Sequence, residues 1–152
     1  MLSAKAKYAF KAMFALARLG PGELLQARDI SAKENISKKF LDLILLELRG
    51  AGLVRAERGQ HGGYALAKPA DKVTLGQIVR IIDGPLAPIA CASVSFYRRC
   101  DDCKDETTCL VRRSMRQVRD AASDILDHTT LASALTMDKA RKNGPRKAKR
   151  AA

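Results

Sequence analysis

The stretch from Ser37 to Leu66 reads SKKFLDLILLELRGAGLVRAERGQHGGYAL, and it predicts a helix that is followed at once by a β-hairpin. Ser37 suits the N-cap of the helix, because its hydroxyl can accept a hydrogen bond from a free backbone N–H of the first turn. Apolar residues then recur at helical spacing as far as Gly50. The predicted buried stripe is Phe40 or Leu41, Ile44 or Leu45, and Leu48, which leaves Lys38, Lys39, Asp42, Leu43 and Glu47 facing outward.

The second half of this stretch predicts two short strands. Residues 53–57 and 64–67 form the strands, and the glycine-containing segment 58–63 forms the tip of the hairpin. Upstream, a short helix at 26–33 ends in a turn at Asn35, a residue type that tolerates left-handed backbone. Two helices joined by a tight turn describe a helix-turn-helix, and the hairpin that follows makes it a winged helix.

The rest of the chain is predicted to be helical. Helices are expected at 3–19 and 75–83, with a long helix from 110 to about 127 and a last short helix at 131–135. We therefore predict a mainly α fold with a small β-hairpin wing. The long helix carries apolar residues at alternating steps of four and three, as the seam of a helix pair does. A monomer could bury this seam on its own domain, but we favour a homodimer joined through Val111, Met115, Val118, Ala122 and Ile125.

Positive charge exceeds negative charge over the whole chain, and a large part of the excess lies in residues 139–152. Lys and Arg number 28 against 16 Asp and Glu, which gives a formal net charge of +12. A winged helix with this charge predicts double-stranded DNA as its partner. The sequence lacks the pattern of a secretory signal and any apolar run long enough to span a bilayer, so we expect a cytoplasmic protein with no membrane partner.

These features divide the chain into four segments. We expect a winged-helix DNA-binding domain at 1–84, a cysteine-rich sensory loop at 85–109, a dimerisation helix with a short terminal helix at 110–137, and a basic disordered tail at 138–152.

All four cysteines lie in one polar loop, as Cys91, Cys100, Cys103 and Cys109. Thiols stay reduced in the cytoplasm, so this grouping favours metal binding or redox sensing over structural disulfides. The knuckle Cys100-x2-Cys103 suits zinc and iron alike, which leaves an iron–sulfur cluster, a zinc site and a thiol switch open. An enzyme is disfavoured, because dithiol oxidoreductases surround such a motif with alternating strands and helices that this sequence does not predict.

Several short motifs occur here together. They are Lys5-Ala6-Lys7-Tyr8-Ala9, Ile36-Ser37, Gly52-Leu53-Val54, Arg58-Gly59 and Gly62-Gly63-Tyr64, followed by the cysteine loop. With them, residues 1–135 resemble the Rrf-type winged-helix transcriptional regulators, whose members include IscR, NsrR, RirA and CymR. The resemblance implies a dimeric regulator that often holds an iron–sulfur cluster beside its dimerisation helix. A dimer of this kind is expected to bind a pseudo-palindromic operator.

The resemblance also implies which residues face DNA. Ser37, Lys39, Phe40 and Leu43 occupy positions of the recognition helix, and Arg58 occupies the wing position that enters a minor groove. Phe40 and Leu43 can make only apolar contacts, such as with a thymine methyl group, and core packing is the better explanation for Phe40. With the neighbouring polar residues added, the candidate DNA-contacting set is Ser37, Lys38, Lys39, Phe40, Leu43, Arg55, Arg58 and His61.

The cysteine pattern departs from that of the family. Cluster-binding members have three cysteines, of which the last two are separated by about five residues, and Cys103 and Cys109 fit this pair. Some members use a histidine at the position of Arg112, and others use a residue of the partner chain near the position of Lys7, but neither of these can coordinate iron when charged. We therefore expect Cys100 to supply a fourth thiolate to a [2Fe–2S] or [4Fe–4S] cluster, with zinc as the alternative. The candidate metal ligands are Cys91, Cys100, Cys103 and Cys109.

Overall fold

The structure, a computed structural model, describes the backbone of residues 2–143 and the side chains of residues 2–138. Its helices are α1 (Ala4–Ala17), α2 (Ala27–Glu34), α3 (Lys38–Gly50), α4 (Leu75–Ile82), α5 (Leu110–His128) and α6 (Leu131–Asn143). The strands β1 (Val54–Glu57) and β2 (Gly63–Leu66) pair as an antiparallel hairpin, and short 3-10 turns occupy Ala70–Lys72 and Ala90–Ala92. The predicted fold class is confirmed.

The spacing of alanines on α1 shapes the core. Four alanines of this helix are buried, and their small side chains let the neighbouring helices approach its backbone closely. α1 contacts α2, α3, α4, α6 and β2, so it is the central helix of the domain. Opposite it, α3 buries Leu41, Ile44, Leu45 and Leu48 completely. Of the alternatives predicted for the buried stripe, Leu41, Ile44 and Leu45 all lie in the core. Phe40 is partly buried and packs against it.

The helix-turn-helix forms as the sequence predicts. Asn35 has a positive φ of 53°, and its N–H donates to the Ser31 carbonyl, which ends α2. The Ser31 hydroxyl donates to the Ile36 carbonyl at 2.6 Å, which closes the turn. The Ser37 hydroxyl then accepts a hydrogen bond from the Phe40 N–H at 3.3 Å and caps α3. Local side-chain hydrogen bonds thus set the entry angle of α3.

The wing is attached to the domain through its second strand. Val54 pairs with Leu66 and Glu57 pairs with Gly63, so the predicted hairpin forms, with Gly63 in the second strand and not in the tip. The Tyr64 N–H donates to the Leu25 carbonyl at 2.9 Å, which joins the segment before α2 to the outer side of β2. A Cβ atom at Gly63 would lie 2.9 Å from the Leu25 carbonyl oxygen, so this approach requires glycine.

The terminal helix is longer than predicted. We expected a helix at 131–135 and a disordered tail from 138, but α6 continues to Asn143, so residues 138–143 are helical. The expectation gave too much weight to charge: the sequence from Leu131 to Asn143 is rich in Ala, Leu, Lys and Arg and contains no Gly or Pro, so intrinsic propensity favours a helix. The remainder of the predicted tail, 144–152, lies outside the described residues.

Replacing Leu45 by alanine tests how strongly the core holds α3. Leu45 is fully buried, so we expect the Leu45→Ala variant to lose about 3 kcal/mol of unfolding free energy, as a cavity in a packed core does. Urea denaturation at one fixed protein concentration measures this loss. The neighbouring Leu46 is 56% exposed, so Leu46→Ala is the matched control with an expected change of less than about 0.5 kcal/mol. Equal losses in the two variants would contradict the observed orientation of α3.

Candidate nucleic-acid interface and cysteine pocket

The first turn of α3 presents a polar and basic surface. Ser37, Lys38 and Lys39 are exposed, and Leu43 is exposed one turn further along the same helix. Lys38 forms an ion pair with Asp42 at 2.8 Å, and the hydrogen bond with that carboxylate raises the pKa of the Lys38 amine. Lys39 has no hydrogen bond or ion pair within the part of the chain that the structure describes. Lys39 is therefore the amine on this turn that is free for a phosphate.

Phe40 lies away from this surface. Its ring is half-buried and packs edge to face against Tyr8 of α1, with 5.8 Å between the ring centroids. Aromatic pairs of this geometry stabilise a core beyond the area that they bury. The position of Phe40 therefore agrees with the core role that we preferred, and contact of Phe40 with DNA stays a prediction.

Two of the three candidate DNA-contacting residues of the wing lie at its exposed tip. Arg58 and His61 are exposed there, and the structure shows no acidic partner for Arg58 among the residues that it describes. Arg55 lies on β1, where its guanidinium contacts Glu57, so part of its charge is already neutralised. Arg58 is consequently the guanidinium of the wing that is available for a narrow, electronegative groove.

An arginine that the sequence did not single out lies beside the wing. Arg49 in the last turn of α3 is exposed, and it lines the same groove as Arg58 and Gln60. A basic residue near a helix C-terminus is common, because it interacts favourably with the helix dipole. The sequence therefore contained no signal that separated an interface role from a capping role.

The cysteine loop brings all four thiols to one place. Cys91 is buried in the 3-10 turn Ala90–Ala92, whereas Cys100, Cys103 and Cys109 are half-buried. All four line a single pocket of about 430 Å³, together with carboxylates of the loop and the start of α5. The structure thus groups the four candidate ligands that the sequence proposed.

Within the pocket the thiols form two pairs. The Cys91 thiol, through a hydrogen bond and with the help of burial, raises the pKa of the Cys100 thiol to about 11. Burial, followed by the nearby Cys109 thiol, raises the pKa of the Cys103 thiol. A thiolate is disfavoured beside a second thiol in a partly buried site, so without a cation Cys100 and Cys103 stay protonated. A bound metal would reverse this preference, because it stabilises thiolates directly.

The donor chemistry of the pocket fits an iron–sulfur cluster or zinc. Four sulfurs within one pocket supply the ligand set that both require. Among the described residues, however, no group of three or more His, Cys, Asp or Glu side chains is arranged to hold a metal ion. The two thiol pairs would have to move toward each other to bind one centre.

The candidate dimer seam is uncovered. No residue of α5 is buried, and Val118 and Ile125 of the seam are 50% and 65% exposed. Val111 is also exposed, whereas Met115 and Ala122 are half-buried. The chain therefore does not bury this seam on its own described domain, which was the alternative to a homodimer. No helix among the described residues is long and apolar enough to cross a membrane.

Comparison with known proteins places the chain in a family. The family model of Rrf2, an iron-dependent transcriptional regulator, matches residues 2–136. A protein of Rhodobacter capsulatus named rrf2-like is 41% identical over 134 residues, which cover 86% of this chain and 89% of that protein. The regulator CymR of Bacillus subtilis is 33% identical over 133 residues, which cover 86% of each chain.

Solved structures lead to the same group of proteins. The structure of CymR, described as the global cysteine regulator of B. subtilis, has a TM-score of 0.72 and 30% sequence identity, and the match covers 90% of this chain and 97% of that one. The IscR structure from T. potens has a TM-score of 0.75 and 25% identity, and the match covers 97% of this chain and 93% of that one. These relatives are transcriptional regulators, not enzymes. The chain belongs to the Rrf2 family of DNA-binding transcriptional regulators.

Proposed function

We propose that this regulator is a homodimer that binds a pseudo-palindromic DNA operator and changes its affinity with the state of an iron–sulfur cluster in the cysteine pocket. The observation that carries the proposal is the pocket itself, in which all four cysteines meet beside the first turn of the uncovered helix α5. A DNA-reading surface, a candidate sensing site and a candidate dimer helix thus lie on one short chain.

The exposed residues of α3 and the wing support DNA contact. Ser37, Lys38 and Lys39 suit phosphate or base contacts at the start of a helix in the major groove, and Leu43 suits a thymine methyl group. Arg58 suits the minor groove beside it, with Arg55 and His61 near the backbone. The net charge of +12 favours association with a polyanion.

The uncovered seam of α5 supports a homodimer. An apolar stripe along a helix of 19 residues is costly to leave in water, and the same stripe on a second copy is complementary to it. A dimer places two α3 helices at a fixed separation, so the operator would contain two half-sites.

Cys109 connects the pocket to this helix. Its sulfur accepts a hydrogen bond from the Arg112 N–H at 3.5 Å, so Cys109 is the N-cap of α5. Cys91, Cys100, Cys103 and Cys109 would hold the cluster, which supplies a centre sensitive to oxidation and to small ligands. A change in the position of Cys109 alters the start of the dimer helix and therefore the separation of the two α3 helices. Half-site geometry converts such a shift into a change of affinity.

The thiol pairs favour a second candidate, a regulator that senses redox state or zinc without a cluster. In each pair, Cys91 with Cys100 and Cys103 with Cys109, one thiol raises the pKa of the other, so the partners of a dithiol lie near each other. The similarity to CymR, whose structure is described as that of a global cysteine regulator, makes this candidate worth testing alongside the cluster.

Replacing Cys100 by alanine tests whether the cluster has four cysteine ligands. If the cluster has four cysteine ligands, the Cys100→Ala variant purified without oxygen should lose most of its iron and its visible absorption, which wild-type protein should show. Asp102 lines the same pocket and provides the control, because Asp102→Asn removes a charge without removing a sulfur. Wild-type protein that is colourless and contains one zinc per chain would exclude the cluster, and unchanged iron in Cys100→Ala would exclude Cys100 as a ligand.

Removing the free guanidinium of the wing tests the DNA surface. We expect Arg58→Ala to weaken operator binding by at least about fivefold, with the larger loss at sites with a narrow minor groove, since a groove-inserted arginine contributes about 1–3 kcal/mol. Fluorescence anisotropy at constant salt measures the affinities. Arg113→Ala removes the same charge from an exposed position of α5 and should bind within about twofold of wild type. Equal losses of operator affinity in both variants would show that the loss comes from the change in net charge and not from a contact of Arg58 with DNA.

A charge placed in the seam tests the dimer. Val118→Glu should convert the dimer into monomers at low micromolar concentration, because a carboxylate would be buried without a partner. Light scattering coupled to size-exclusion chromatography measures the mass. Gln117 is exposed next to the seam, so Gln117→Glu adds the same charge and should leave the dimer intact. A wild-type chain that is monomeric at every concentration would contradict the homodimer.

A further inference from the structure

The helix α5 is held to its own chain by polar contacts. None of its residues is buried, and it contacts α4 and the 3-10 turn Ala90–Ala92. Toward α4, Arg80 binds Asp127 through both of its terminal nitrogens and reaches Ser123 at 3.2 Å. Side-chain hydrogen bonds therefore help to hold α5 on this side.

Two arginines of α5 bind consecutive carbonyl groups of the cysteine loop. The Arg112 Nε donates to the Cys91 carbonyl at 2.9 Å, and the Arg119 Nη1 donates to the Ala92 carbonyl. Arg112 and Arg119 are seven residues apart, so two helical turns bring them to the same face of α5. Their side chains are only 22% and 13% exposed, although arginines on a surface helix are ordinarily solvated.

The turn that these arginines bind is the buried part of the loop. Cys91 and Ala92 lie in the interior, whereas the segment from Val94 to Arg99 is exposed. Arg112 also lies 3.8 Å from the Glu106 carboxylate and over the Tyr97 ring, and the Tyr97 hydroxyl donates to Glu106. One guanidinium therefore contacts three separate segments of the loop that contains all four cysteines.

We infer that Arg112 and Arg119 are positioning residues that transmit movement of the Cys91 turn to the helix α5. The inference rests on the proposed function, because it identifies how the cysteine pocket and the dimer helix are coupled. A planar guanidinium that donates a hydrogen bond to a backbone carbonyl moves with that carbonyl when the turn moves. Arg112 and Arg119 bind consecutive residues of the Cys91 turn. Displacement of the turn therefore moves α5 at two points that lie two helical turns apart.

Two other arginines of α5 provide matched controls. Arg113 and Arg116 are exposed, and neither side chain forms a hydrogen bond or ion pair among the described residues. Replacing any of the four arginines removes the same charge from the same helix. Only replacement of Arg112 or Arg119 removes a bond to the Cys91 turn.

The first experiment uses cluster-free protein, so its result does not depend on any bound group. We expect amide hydrogen exchange in residues 110–119 to become at least about tenfold faster in the Arg112→Ala and Arg119→Ala variants, because each loses a charged hydrogen bond that opposes local opening. Arg113→Ala and Arg116→Ala should exchange as wild type does. Exchange that is equal in all four variants would overturn the inference, whatever the proposed function turns out to be.

The second experiment measures coupling. For each variant, operator affinity is determined with the metal centre loaded and after it has been removed, and the ratio of the two affinities is compared with that of wild type. We expect this ratio to fall toward one in the double variant Arg112→Ala/Arg119→Ala, while the paired control Arg113→Ala/Arg116→Ala keeps the wild-type ratio. Arg119→Lys, which retains a positively charged hydrogen-bond donor, should recover part of the ratio, as a purely structural loss would not.

The outcomes of these experiments separate the positioning role of the two arginines from the proposed function. A wild-type ratio of one would contradict the proposed function, and the exchange experiment would still decide whether the arginines hold α5. A wild-type ratio that differs from one and persists in the double variant would overturn the positioning role alone.

Discussion

The close packing of α1 against α3 positions every surface to which we assign a function. The alanines on α1 allow the fully buried face of α3 to lie against its backbone, and the opposite face, with Lys39 and Leu43, is then directed to solvent. α1 also contacts α4 and β2, so the wing and the helix that precedes the cysteine loop are placed by the same core. Because packed interiors deform little, this domain behaves as one rigid unit.

The cysteine loop is held by a different kind of interaction. Between Gly84 and Leu110 the structure is largely irregular, and apart from the buried turn around Cys91 it is held by hydrogen bonds and by the ion pair and cation–π contact of Arg112. Arg99, for example, donates to the carbonyl groups of Cys103 and Lys104 at 3.0 and 3.2 Å. A segment held by a few polar contacts rearranges at lower free-energy cost than a packed core. The fold therefore joins a packed winged-helix domain to a segment that is held by fewer and mainly polar contacts.

The helix-turn-helix was predictable because its signals are local. The hydroxyl of Ser37, the tolerance of Asn35 for left-handed backbone, and the periodicity of leucines in α3 each act over a few residues. The length of α6 is underestimated from the sequence although its signal is equally local: its basic composition indicates disorder, whereas most of its residues are good helix formers. Phe40 is the intermediate case: periodicity allowed Phe40 or Leu41 in the buried stripe, and the structure buries Leu41 fully while Phe40 is half-buried against Tyr8.

The sequence by itself determined the fold class, the order of the elements, the recognition helix and the wing, since periodicity, caps and turn residues specify these over short distances. It also supplied the four cysteines but not their arrangement. Only the tertiary structure decided that they line one pocket in two pairs, that the seam of α5 stays uncovered, and that Arg112 and Arg119 bind the Cys91 turn. These features depend on residues far apart in the chain, such as Arg80 and Asp127 at a separation of 47, and no local pattern encodes which distant partner a side chain meets.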